Sequence, residues 1–424
     1  MAADHQLNGK RVLLLFTTTG YQAAAFQEAA KKLGVALVAG SDRCHVLEDP
    51  WRDGAIPLRF ENPSASAEVV FEYNRKDPID AVIAIGDKPT LTAALVSEAL
   101  GLPGNLPAAV RACRDKFQFR ELLRAARVPG PAYCRLSAQS DFPQIPAEIG
   151  FPCVLKPLCL SASRGVIRAN NAEQFAAAFS RIRALLQWPD IRMMKEEAAD
   201  WILVESFLEG TEVALEGILD RGVLKVLALF DKPDPLEGPY FEESIYVTPS
   251  RVPESLQAQI VRSTELAIKA VELFHGPIHA EVRVTPEGPR VLEIAARPIG
   301  GLCSRSLRFG TGVTLEELII RHALGMSIQS LNREQEASGV MMIPVPAAGL
   351  LKEVKGEAVA RQISRIEDIV ISAKLQQKLV PWPEGSSYLG FIFARGPSPA
   401  EVETALRQAH CKLEFVITPA LPIV

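Results

Sequence analysis

The 424 residues are 48% hydrophobic and 23% charged, the balance of a globular chain rather than a disordered one. A formal net charge of −4, with no basic block, argues against a nucleic-acid partner. The longest apolar runs, such as Val12–Phe16, are far too short to span a bilayer, and the opening MAADHQLNGKRVLLLF has no long apolar segment with a cleavage site, so neither a membrane partner nor secretion is expected.

At this length, about two to four domains are expected. Residues 1–105 alternate strands and helices. Arg11–Phe16 reads as a buried strand, Thr17-Thr18-Thr19-Gly20 as a loop and Gln22–Leu33 as a helix. Val35–Ala39 and Ala81–Ile85 are further strands, the second ending in Gly86-Asp87 before a helix through Leu100. Such alternation makes a parallel sheet with a crevice at the strand carboxyl ends. The loop TTTGY lacks GxGxxG, so it is expected to wall a substrate cleft rather than bind a dinucleotide. Leu106–Gly130 reads as a helical linker ending at Pro129-Gly130-Pro131; by residue type alone, Lys116 on it is a solvated lysine.

In GFPCVLKPLCLSASRGVIRA, Pro152–Pro157 is a strand with Lys156 at its end, and Leu158–Gly165 is a loop of small residues. An ammonium there can meet phosphates while loop N–H groups and hydroxyls close over them; Ser161, Ser163 and Arg164 are the polar donors and Gly165 the loop's one glycine. After a helix over Ala172–Leu186, Trp201–Glu205 is a strand running into Ser206-Phe207-Leu208 and the Glu209-Gly210 turn. The next strand carries Glu212 and Glu216 on one face, the latter either structural or a lysine partner. Lys225–Phe230 is a strand, and a long irregular connection follows it. There Glu243 is read as recognising a substrate ammonium, with a surface acid as the competing reading.

Glu254–Phe274 is a helix leading to a hairpin, His279–Val284 and Arg290–Ala295 around Pro286-Glu287-Gly288. Alternation puts His279, Glu281 and Arg283 on one face and Val291, Glu293 and Ala295 on one face of the returning strand. Pairing across the turn sets Glu281 beside Glu293, and two adjacent carboxylates repel unless a cation such as Mg²⁺ lies between them. Arg297 adds a fixed positive charge at the same end. Thr314–Gly325 is helical, and from about Gly339 a last unit runs through Ile363–Leu379 to Tyr388–Phe391 and a helix Ala400–His410. Seven cysteines without CxxC spacing fit free thiols in a reducing cytoplasm, and six histidines with no clustered pair beyond His275/His279 argue against zinc.

Glu281…Glu293-Ile294-x-x-Arg297-Pro298-x-Gly300-Gly301 resembles the metal-binding end of the ATP-grasp superfamily of carboxylate–amine ligases. AIGDKPTLTAALVSEALGLPGN resembles the domain that precedes ATP-grasp modules in biotin carboxylase, and the Tyr388–Phe391 region looks like the cap of the L-amino acid ligases, which make dipeptides. The resemblance implies an α/β ATP-grasp fold: a biotin-carboxylase-like parallel domain at 1–105, the ATP-grasp domain at 106–330 and a cap at 331–424. It implies ATP and Mg²⁺, with Mn²⁺ as a substitute, and small carboxylate and amine substrates. The oligomeric state stays open, a homodimer included. Lys116 and Lys156 would meet the nucleotide phosphates beneath the 161–165 loop. Glu205, Phe207 and Leu208 would border adenine, and Glu212 would hold the ribose. Glu281 and Glu293 would bind metal. Arg297, beside Gly300 and Gly301, would bind the substrate and stabilise the acyl phosphate. Ala295 stands where the superfamily commonly has a metal-binding Asn. A carboxylase that phosphorylates bicarbonate is the alternative enzyme; a non-catalytic nucleotide module is disfavoured by the joint presence of Lys116, Lys156, Glu281, Glu293 and Arg297.

Overall fold

A computed structural model describes residue 7 and residues 9–42, 55–141, 145–326, 328 and 330–419. The first ten residues of the chain, apart from Leu7, Gly9 and Lys10, and Cys44 lie outside them, so the expectations of no leader and of a seventh free thiol are not addressed.

The amino-terminal unit is a four-stranded parallel sheet in the order Ile56–Pro57, Ala36–Ser41, Arg11–Phe16, Ala81–Ala84. The Arg11–Phe16 strand is apolar throughout because both its faces are covered. Val12 and Leu14 pack with Phe26 and Ala30 on one side, and Leu13 and Leu15 with Val70 and Val96 on the other. The fourth strand ends just before Gly86 and Asp87, which places the Asp87 carboxylate at the crevice.

The linker is two helices, Pro107–Arg114 and Lys116–Ala125, where the sequence reads as one. Asp115 makes the break: its backbone is extended, and its carboxylate accepts hydrogen bonds from the N–H groups of Phe117 (2.9 Å) and Gln118 (3.0 Å). That cap outweighs continuing the first helix, and it puts Lys116 at the start of the second.

A small antiparallel sheet follows, ordered Tyr133–Ser137, Trp201–Ser206, Cys153–Pro157, Ile167–Ala169. The helix Ala172–Leu185 covers it with Phe175, Ala178, Phe179, Ile182 and Leu185, a stripe at helical spacing.

The largest sheet has eight strands: Gly288–Ala295, Gly276–Thr285, Thr211–Asp220, Val223–Asp231, Ile245–Thr248, Ala337–Ile343, Gly390–Gly396, Ile366–Ile371. Its last three belong to the expected cap, and Ala337–Ile343 pairs directly with Ile245–Thr248. The boundary expected at residue 331 thus lies within one continuous sheet. The helix Leu315–Ala323 packs Leu315, Leu318 and Ile319 into the cluster holding Phe26 and Ala30, so the first unit and the hairpin region share a core. Among the described residues no helix is long and apolar enough to cross a membrane.

Candidate active site

One cleft of about 260 Å³ lies where the crevice, the small sheet and the hairpin meet. Lys116, Lys156, Ser161, Ser163, Glu205, Phe207, Leu208, Glu212, Glu243, Glu281, Glu293, Arg297, Gly300 and Gly301 all line it. Arg164, Gly165 and the TTTGY loop do not. Arg164 turns outward, its Nε donating to the Glu384 carbonyl (2.7 Å) and its Nη1 to Asp190 (2.8 Å). Gly165 donates its N–H to the Pro383 carbonyl at 2.7 Å. With a φ of +75° and the place of a Cβ only 2.6 Å from Pro157 Cγ, it shapes the loop from behind. The wall expected from TTTGY is made by Gly86 and Asp87 instead. Tyr21 stands one layer back, edge-on to Phe391 at 5.3 Å.

The end of the cleft expected to take the nucleotide has a built charge arrangement. Glu205, 3% exposed, bridges Arg120 Nε and Lys156 Nζ, each at 2.5 Å. Burial raises its pKa, but the two cations outweigh that and hold it down at about 2. The Glu205 side chain is therefore an anchor for Lys156. Lys116 donates to the Leu160 carbonyl at 2.6 Å, inside the 158–165 loop. Phe207 gives the apolar wall together with Phe241, ring centres 6.4 Å apart. The Leu208 carbonyl accepts from Arg283 Nε at 3.1 Å. Glu212, 8% exposed, accepts from Lys232 at 2.6 Å and lies 3.4 Å from Arg283 Nη1.

In the hairpin, Glu281 and Glu293 are direct partners in register. Strict alternation fails there. Glu281 pairs with Glu293 but Val282 with Val291, so Leu292 is an extra residue in a bulge. Leu292 and Glu293 both reach the cleft while Val291 enters the core beneath. Burial pushes the Glu281 carboxyl up to about 7, opposed by Lys232 and reinforced by Glu243 and Glu293. Behind it, His279 Nδ1 lies 3.1 Å from Glu216 and Nε2 3.7 Å from Glu281. Burial lowers the imidazole pKa, yet these two carboxylates lift it to about 9. Glu216 also accepts the Ile299 N–H at 2.9 Å, so its partner is a histidine and a backbone amide, not a lysine.

Two residues missed in the sequence dominate the charge pattern. Asp87 grips Arg297 through Nε (2.8 Å) and Nη2 (3.1 Å). Lys232 stands among Glu212, Glu243 and Glu281, its side chain 3% exposed. Glu243, expected to meet a substrate ammonium, meets this internal one. The signal for Lys232 was present: Lys-Pro at a strand end, the pattern that singled out Lys156.

One carboxylate oxygen each from Glu212, Glu243 and Glu281 lies within 4.8 Å of the others, a set of hard ligands that already has the Lys232 ammonium among it. A second group, Asp220, His275 and His322, is as close, so the histidine pair brought together is His275/His322 and not His275/His279. Their rings stack at 4.3 Å and 25°; imidazole lone pairs lie in the ring plane, so stacked rings do not aim them at one ion. Lys225 also holds Asp220 at 3.0 Å. This second group does not fit a metal.

Comparison with known proteins agrees with this architecture. Residues 149–306 match the model for an ATP-grasp domain, 27–104 an ATP-grasp N-terminal domain and 341–418 an L-amino acid ligase C-terminal domain. Carnosine synthase 1 of Gallus gallus is 29% identical over 371 residues, 81% of this chain but 38% of that protein. Alanine–anticapsin ligase of Bacillus subtilis is 25% identical over 323 residues, 72% of this chain and 66% of that one. The chain thus spans less than two thirds of each of these two proteins. The crystal structure of L-amino acid ligase from Bacillus licheniformis superposes with a TM-score of 0.78 at 24% identity, covering 97% of this chain and 99% of that one.

Proposed function

From the premise that the chain is an ATP-grasp protein with a C-terminal domain of the L-amino acid ligase type, we propose that it joins a carboxylate to an amine at the expense of ATP, both substrates being amino acids. The observation that carries this reading is the convergence in one cleft of two lysines beside the 161–165 loop, paired glutamates and a clamped arginine.

A carboxylate does not condense with an amine in neutral water, because hydroxide is a poor leaving group. Transfer of the γ-phosphoryl group to the carboxylate gives an acyl phosphate and ADP. The amine then attacks the carbonyl, the C–O bond to phosphate breaks, and an amide and phosphate leave. Lys116 and Lys156 would neutralise the phosphates, and the 161–165 loop would keep water from the intermediate. Arg297, its guanidinium fixed by Asp87, would orient the carboxylate and stabilise charge on the carbonyl oxygen. The donor set fits Mg²⁺: hard carboxylate oxygens from Glu281 and Glu293, with Glu281 destabilised as an anion until a cation joins it. Bound there, the metal would supply charge neutralisation for the nucleotide's β- and γ-phosphates. His279 is held by Glu216 at 3.1 Å, and that carboxylate with Glu281 raises its pKa to about 9, which disfavours it as the base for the amine; the amine would enter as the free base or lose its proton to phosphate.

Carboxylation of bicarbonate is the second enzyme reading, disfavoured by the kind of C-terminal domain that residues 341–418 match. We keep the division at 105 and 330 as a working partition, with 331–424 contributing strands to the central sheet. A cytoplasmic location fits the free state of all six described cysteines. The test is ADP release with ATP and Mg²⁺ across the twenty amino acids, singly and in pairs, with bicarbonate as a separate arm. Stimulation by pairs with a new amide mass supports the ligase; stimulation by bicarbonate alone overturns it.

A further inference from the structure

Three carboxylates gathered below the hairpin would ordinarily recruit a divalent ion or take up protons. Here a lysine stands among them. Lys232 Nζ is 2.6 Å from Glu212 Oε1, hydrogen-bonded to Glu243 Oε1 and 3.6 Å from Glu281 Oε2. Its ammonium also lies 5.2 Å from the centre of the Tyr246 ring. The side chain is 3% exposed, so the charge is fixed in place and poorly screened by solvent.

The distances divide the cluster in two. Glu212 and Glu243 are in hydrogen-bond contact with the ammonium, and Glu212 has Arg283 as well. Glu281 stands off from Lys232 and faces Glu293 across the hairpin.

We propose that Lys232 is a built-in cation occupying what would otherwise be a second divalent-metal site made by Glu212, Glu243 and Glu281. It confines the exchangeable metal to the Glu281–Glu293 pair. It also commits Glu243 to an internal ammonium, so Glu243 is a positioning residue and the amine substrate is recognised elsewhere. The inference rests on the ligase reading only for the identity of the Glu281–Glu293 ion; the cluster itself stands on geometry.

The test counts ions without nucleotide, by Mn²⁺ titration followed by the signal of free Mn²⁺. Lys232→Met should bind one Mn²⁺ more per chain than the unmodified protein, and adding Glu243→Gln should remove that gain. Lys232→Arg, which keeps the charge, should bind as the unmodified protein does. A folded Lys232→Met that gains no ion overturns the proposal. Should that variant not fold, Glu243→Gln alone decides: unchanged Mn²⁺ binding supports an internal cation, and loss of an ion overturns it. Turnover enters none of these arms. An inactive protein with the expected ion count would refute the ligase and leave Lys232 in its role; an active one with the wrong count would do the reverse.

Discussion

The Asp87 carboxylate holds the Arg297 guanidinium in a two-point ion pair, at 2.8 and 3.1 Å, across 210 positions of chain. Asp87 follows the last strand of the parallel sheet and Arg297 follows the hairpin, so the pair ties the amino-terminal unit to the hairpin end of the cleft. A fork held at two points keeps its plane, whereas a guanidinium held at one swings.

Replacing Asp87 by Asn keeps the shape and removes the charge. Turnover should fall roughly 10²-fold, as for loss of a preorganised charge contact, while ATP affinity changes little. Steady-state ADP release with nucleotide and carboxylate varied separately reads both. Unchanged turnover would mean that Arg297 does not need its clamp.

Glu293→Ala should remove ATP turnover by roughly 10²–10³-fold while leaving the fold intact. The bulge at Leu292 already delivers Glu293 to the cleft without a core role, so circular dichroism and melting should match the unmodified protein. An active variant would remove Glu293 from the metal site.

Lys156→Met should weaken ATP binding by about 2 kcal/mol, the loss of one charged hydrogen bond, seen as a rise of about thirtyfold in Kd by calorimetry. It also leaves Glu205 with Arg120 as its remaining close cation, so a drop in melting temperature should accompany it. Unchanged ATP affinity would end the phosphate role.

Glu205 also sets an acid limit on stability. Its folded pKa of about 2 lies below the ordinary 4.5, so its contribution is complete above pH 4.5 and is lost as the pH falls towards 2. The shift corresponds to about 3 kcal/mol. Urea unfolding at pH 5 and pH 3 should show the unmodified protein losing more stability than Glu205→Gln across that interval. Equal losses would mean that the carboxylate is not held below its ordinary range.

The loop at 158–165 is held by the carboxy-terminal part of the chain: Trp382 Nε1 donates to the Ala162 carbonyl at 3.2 Å, and Pro383 accepts from Gly165. Trp382→Phe keeps an aromatic ring and loses the hydrogen bond. It should raise the KM for ATP several-fold with little change in melting temperature; a change in melting without one in KM would make the contact structural only.

Much of the fold was legible because its signals are local. An all-apolar Val12–Leu15 needs cover on both faces, and Pro286-Glu287-Gly288 between alternating runs needs a hairpin. The lining of the cleft was less so, since direction depends on partners far away in sequence. Arg164 resembles a phosphate donor until Asp190 and the Glu384 carbonyl turn it outward. Glu243 is one of two adjacent acids in a loop until Lys232 folds against it. Asp87 closes a loop in the sequence and clamps Arg297 in space. The bulge at Leu292 changes which residues share a face, and no period-two reading contains it.

The most direct test of acyl-phosphate chemistry follows one oxygen. With the carboxylate substrate labelled with oxygen-18 on its carboxyl group, ATP and the amine, the ligase route must move one labelled oxygen into the phosphate released. Mass spectrometry of that phosphate reads it. Labelled phosphate in step with amide formation is the result the account predicts. Unlabelled phosphate released as the amide forms would contradict it.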